Sequence, residues 1–224
     1  PLLSVASSQA AAQCAVWGKF DTKAEAHMTT LGNTDRSQVG IKASLIYRTL
    51  LEEEKSHWVG MQLHQAEVSM DGEQSMSLLY SVPMAARIDN LSGEVVDYRF
   101  GAKLEHKDKN KLIAVFRTLH LKKWPANVVN DFYVSNERDD IGVYRVEYRK
   151  LSGARLSRSK LEYIDSEIED AAGKLLKLDK ATIHSDEFVF TKGGCWHKEV
   201  GGESDIMVAS NDGKRIVVRS KSEL

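Results

Sequence analysis

The stretch that decides the fold runs from His106 to Trp124, "HKDKNKLIAVFRTLHLKKW". Its apolar residues recur at helical spacing. Leu112, Phe116 and Leu119 share one face, flanked by Ile113 and Val115, while Lys109, Lys111 and Arg117 lie elsewhere. The spacing predicts an amphipathic helix over about 109–122, with Asp108 as N-cap and Pro125 soon after its end. Before residue 166 no other segment reads as a helix, and the chain on both sides of it alternates with a period of two.

Upstream, "AVWGKFDTKAEAHM" (15–28) sets Phe20, Thr22, Ala24 and Ala26 against Lys19, Asp21, Lys23 and Glu25, the pattern of a half-buried strand. "LGNTDRSQ" (31–38) reads as a turn cluster, and "VGIKASLIYRTLLEE" (39–53) alternates again before the charged break "EEEKS" (52–56). Strands follow in "HWVGMQLHQAEVSM" (57–70), "MSLLYSVPMAARID" (76–89) and "EVVDYRFGAKL" (94–104), with "NLSG" (90–93) as a tight turn. Downstream, "NERDDIGVYRVEYRKLSGARLSRSKLEY" (136–163) opens with a charged turn closed by glycine and runs as strand, loop, strand. "SEIEDAAGKLLKLDKA" (166–181) reads either as a short helix or as a hairpin turning at "AAG". The β-branched and aromatic residues after it favour the hairpin. "CWHKEV", "SDIMVAS" and "KRIVVRS" complete the strands. Strands joined by hairpins around one helix must hide both the sheet's apolar face and the helix's stripe. The expected fold is therefore mainly β: an antiparallel barrel of about ten or eleven strands enclosing, or capped by, the helix.

Composition narrows the function classes. The 224 residues are 42% hydrophobic and 28% charged, and the formal net charge is −1, which points to neither nucleic acid nor an anionic membrane as partner. No apolar run approaches the roughly 20 residues of a membrane-spanning helix. Residues 15–224 read as a single domain. "PLLSVASSQAAAQC" (1–14) reads as a disordered or helical start, or as the remnant of a secretory signal. The two cysteines, Cys14 and Cys195, are candidates for one disulfide closing a long loop, or for two buried thiols.

The sequence carries no recognisable catalytic or metal signature. The sequence has no GxGxxG, GxxxxGK[ST] or GxSxG. His57 and His64 lie seven apart on one strand and so point to opposite faces. Cys195 and His197 share a strand face, but nothing nearby completes a four-ligand zinc site, and the pair reads as a buried cysteine beside a surface histidine. Asp139 and Asp140 read as turn formers before Gly142, not as an acid/base pair. The chain is thus expected not to be an enzyme and to need no metal or cofactor.

Taken in order, four of these stretches resemble the N-terminal β-barrel of the large lipid transfer protein family, which includes vitellogenin, microsomal triglyceride transfer protein and the amino-terminal part of apolipoprotein B. "VGIKASLIYRTLLEEEKSHWVGMQLHQAEV" resembles the family's early strand pair, and "LLYSVPMAARIDNLSGEVVDYRF" its apolar strand, glycine turn and next strand. "DKNKLIAVFRTLHL" resembles the helix that runs through the barrel. "NERDDIGVYRVEYRKLSGARLSRSKLEY" is similar to the family's Glu-x-Asp-x-x-Gly-x-Cys-x-x-x-Tyr hairpin and the basic strand after it. The cysteine of that hairpin is Tyr144 here, so its usual disulfide has no counterpart. The resemblance implies a secreted, extracellular or periplasmic protein, the N-terminal part of a longer lipid carrier or a stand-alone barrel. It implies a barrel plugged by Leu112, Ile113, Phe116 and Leu119 that docks a protein partner or receptor beside a lipid-carrying region. Arg155, Arg158 and Lys160 are then candidate partner contacts, set against a plain solvated strand face. The alternative is a stand-alone barrel that binds a small apolar ligand inside.

Overall fold

The first strand and the last are neighbours. In the computed structural model, which describes residues 15–30, 33–122, 124–125, 128–169, 175–193, 197–210 and 214–224, β1 (Ala15–Thr30) pairs antiparallel with β13 (Arg215–Glu223), from Asp21↔Glu223 to Thr29↔Arg215. From that pair the sheet grows in both directions. On one side follow β2 (Asn33–Glu52), β3 (Ser56–Met70), β5 (Met84–Asp89) and β6 (Val95–Phe100). On the other follow β12 (His197–Ala209), β11 (Lys180–Lys192), β9 (Arg155–Glu169), β8 (Gly142–Lys150) and β7 (Phe132–Arg138). Two short strands, β4 (Glu73–Met76) on β3 and β10 (Leu175–Lys177) on β9, bring the described total to thirteen. Every pairing is antiparallel, as hairpin connections require.

This is the mainly β, antiparallel fold with one helix that the alternation predicts, with one correction. The barrel is not closed: β6 and β7 are the two ends of the strand order, and no ladder joins them among the described residues. Between them in sequence lies α1 (His106–Leu119). It begins earlier than expected. Glu105, not Asp108, occupies the N-cap position, and Asp108 sits in the first turn, where a carboxylate favours the helix dipole and meets Lys111 at 3.0 Å. Leu112, Val115, Phe116 and Leu119 are buried and Ile113 is partly so. They share one core with Tyr47 of β2, Leu63 of β3, Ala86 of β5, Phe190 of β11 and Val200 of β12, so the sheet curls around the helix from both halves. The Phe116 ring stacks on Tyr47 at 5.7 Å and takes Tyr98 edge-on at 6.1 Å.

Side chains bridge the seam that the strands leave open. Lys122 donates to Glu94, beside β6, at 2.8 Å and to Ser135 of β7 at 3.2 Å. Arg117 reaches Asp140, between β7 and β8, at 2.8 Å.

Two further expectations shift, and one ambiguity resolves. The polar run 33–38 is strand, because β1 and β2 stay in register to Thr30↔Asn33. Residues 77–83 form turns, with Leu79, Tyr80 and Val82 packed on the core, and β5 starts only after Pro83, which has no N–H to give a ladder. The ambiguous 166–181 segment contains a hairpin pairing, Leu175↔Glu169. Cys14 and Cys195, with the disulfide considered for them, lie outside the described residues.

Candidate ligand-binding site

The basic strand β9 divides its cations between two faces. Arg155 is exposed, whereas Arg158 retains only 6% exposure and the Lys160 side chain 13%. This corrects the sequence reading of Arg158 and Lys160 as surface contacts. Two residues apart on a strand, they point the same way, into the curl of the sheet. Inside, Arg158 donates from Nη1 to the carbonyls of Arg117 (3.0 Å) and His120 (3.1 Å), satisfying orphan acceptors at the C-terminal end of α1. Its guanidinium lies over Phe188 and Phe190, at 5.0 and 5.4 Å from the ring centres.

Lys160 donates to Asp139 Oδ2 at 2.5 Å, and the Tyr163 hydroxyl donates to the same oxygen at 2.8 Å. The other oxygen of Asp139 accepts the N–H groups of Ile141 (2.8 Å) and Gly142 (3.1 Å), the turn role expected of it. Burial alone would raise the Asp139 carboxyl, but the Lys160 ammonium and these hydrogen bonds outweigh it and hold it below the usual range. Its neighbour Asp140 moves the other way, because there burial exceeds the pull of Arg117. Across the β7–β8 pair, Tyr144 donates to Glu137 Oε2 (3.2 Å) while Tyr148 donates to Oε1 (2.5 Å), a hydrogen-bonded clasp between the two strands.

Beyond the C-terminal end of α1 a cavity of about 450 Å³ opens. Ile88, Leu121, Trp124, Leu156 and Phe190 form its apolar wall, and His57, His120 and His197 also line it. His57 donates from Nδ1 to Asn90 Oδ1 at 2.7 Å, and His120 donates from Nε2 to the Gly93 carbonyl at 3.1 Å. His197, read from the sequence as a surface residue, is buried with its ring edge-on to Phe190. Burial lowers both His120 and His197 to about 4, with the neighbouring positive charges adding to the effect, so both are neutral at pH 7. Adjoining the cavity is a cleft of about 600 Å³ that shares Trp124, Leu156 and Lys192 with it and adds Lys150, Arg155 and Asp131. Towards the opposite ends of β3, β11 and β12 lies a larger cavity, about 680 Å³, lined mostly by polar and charged residues such as Lys23, Glu25, Asp205 and Arg219. Among the described residues no group of three or more His, Cys, Asp and Glu is placed to hold a metal, and no helix is long and apolar enough to cross a membrane.

The apolar cavity could not be read from the sequence, because its wall comes from six separate segments. The one local signal was the aromatic and histidine content of "HLKKW" (120–124).

The chain is similar to lipovitellin. A solved structure of that protein, which describes its lipid–protein interactions, matches at 11% identity and a TM-score of 0.47. The match covers 93% of this chain and 24% of the lipovitellin chain. No family model and no curated protein matches the sequence.

Proposed function

We propose that this chain is a non-catalytic domain of the lipid-transport kind, whose curled sheet docks a protein partner or receptor beside a region that carries the bulk of the lipid. The sequence resemblance supplies the class and an extracellular or periplasmic setting. The observation that carries the rest is the packed interior: Leu112, Phe116 and Leu119 are at most 1% exposed, so the helix occupies the inside of the curled sheet where a lipid load would otherwise sit. Apolar residues on β7 and β9, Phe132, Val134, Leu161 and Ile164, are each 45–56% exposed on the two strands that flank the charged β8, and together the three strands offer a docking face. The test is solvent extraction of the purified chain followed by lipid analysis. No neutral-lipid load is expected, and several neutral-lipid molecules per chain would overturn the reading.

A second reading has one observation in its favour. The 450 Å³ cavity lies within the size range of small-molecule sites, so a single small apolar ligand fits beside the filled core.

A further inference from the structure

The second reading leaves the ligand's chemistry open, and the two adjoining recesses narrow it. The inner one is hydrocarbon-like: Ile88 and Phe190 are buried in its wall, Leu121, Trp124 and Leu156 complete it, and His120 and His197 carry no charge at neutral pH. Away from Lys192, which borders it, a charged group there would lose its hydration without a counter-charge. The charged neighbours at that end are already engaged. Lys122 is held by Glu94, and the Asp89 carboxylate by the N–H groups of Leu91 and Ser92 and the Ser92 hydroxyl.

The outer recess is different. Lys150, Arg155 and Lys192 line it against the single carboxylate Asp131. Lys150 lies 4.4 Å over the Trp124 ring, while exposed Arg155 and Lys192 have no carboxylate partner among the described residues. Trp124, Leu156 and Lys192 belong to both recesses, so the apolar wall runs directly into the cationic rim.

We propose that this composite site binds a single-chain anionic amphiphile of the fatty-acid type, its hydrocarbon chain in the inner cavity and its carboxylate at Arg155 and Lys192. The proposal rests on the second reading and gives it a substrate class. One acyl chain suits the cavity's size, and the rim selects a negative head over a neutral or positive one.

The test is isothermal titration of the whole chain at pH 7.5 with submicellar dodecanoate, dodecanol and dodecyltrimethylammonium. Dodecanoate should bind at one site per chain, dodecanol more weakly, and the cationic analogue not detectably. Arg155→Glu combined with Lys192→Glu should weaken dodecanoate about ten-fold, as expected for two exposed charges, and leave dodecanol unchanged. Both residues are exposed, so the double variant should keep the fold. Leu156→Trp, which fills the shared wall, should abolish binding of both dodecanoate and dodecanol. No dodecanoate binding, or binding indifferent to the charge reversal, would overturn the proposal. Either failure leaves the docking reading standing, since that reading falls only to a bulk lipid load.

Discussion

Gly142 shows how much one position can demand. Its φ of +147° lies where side chains are rarely tolerated, and a Cβ there would stand 2.1 Å from the Asp165 carbonyl oxygen on the paired strand. Gly142→Ala is expected to destabilise the protein by about 3 kcal/mol or more in urea denaturation, the scale of a strained backbone combined with a steric clash. A second residue-scale expectation concerns acid. His120 and His197 titrate near 4 in the folded chain against 6.5 when unfolded, so between those values the unfolded chain binds protons that the folded one refuses. Their stabilising contribution is complete above pH 6.5 and is lost as pH falls towards 4. Each steepens the decline by at most about 1.4 kcal/mol per pH unit. Denaturation midpoints measured from pH 7.5 to 4.5 should therefore fall, and His197→Phe should flatten the curve.

At the scale of elements, α1 and β9 depend on each other. The helix has no side-chain N-cap hydrogen bond, and its C-terminal end relies on Arg158 from the sheet. Arg158→Lys keeps the charge but not the forked geometry and should cost about 2 kcal/mol, while Arg158→Ala should cost about 3–5 kcal/mol, both read from thermal unfolding. The same two elements mark the limits of the sequence. Helix α1 was legible because Leu112, Phe116 and Leu119 follow a period that no strand can share. The inward cations of β9 were not. Alternation predicts two faces in "RLSRSKLEY" but cannot say which faces inward when both carry polar residues. What turned Arg158 and Lys160 inward was the arrival of helix carbonyls and of Asp139, partners 41, 38 and 21 residues away in the chain. The turn chemistry of Asp139 was readable for the opposite reason, since its N–H donors lie two and three residues on.

For the molecule as a whole, the strand order is almost a ring. Strands β1 to β6 run out along one arm and β13 back to β7 along the other, with the single gap at α1. The helix packs on the inner face of both arms, and Lys122 and Arg117 tie across that gap from opposite ends of a short segment. Lys122→Ala removes a nearly buried ammonium that joins the two edges. It should lower stability by about 1–2 kcal/mol, with hydrogen exchange rising first in β6 and β7 and last in β1.

The pairing of β1 with β13 also sets a timetable. Thr22 meets Lys221 and Ser222 across 199 and 200 residues, so on the ribosome the earliest strand waits for almost the latest before its second edge is covered. At about 5–20 residues per second, that leaves β1 exposed for some ten to forty seconds. Throughout that wait it presents unsatisfied N–H and C=O groups to any passing strand. A nascent chain with so late a closing step would need a holdase until residues 215–223 emerge, and its yield in the cell would be governed by how long that edge stays shielded.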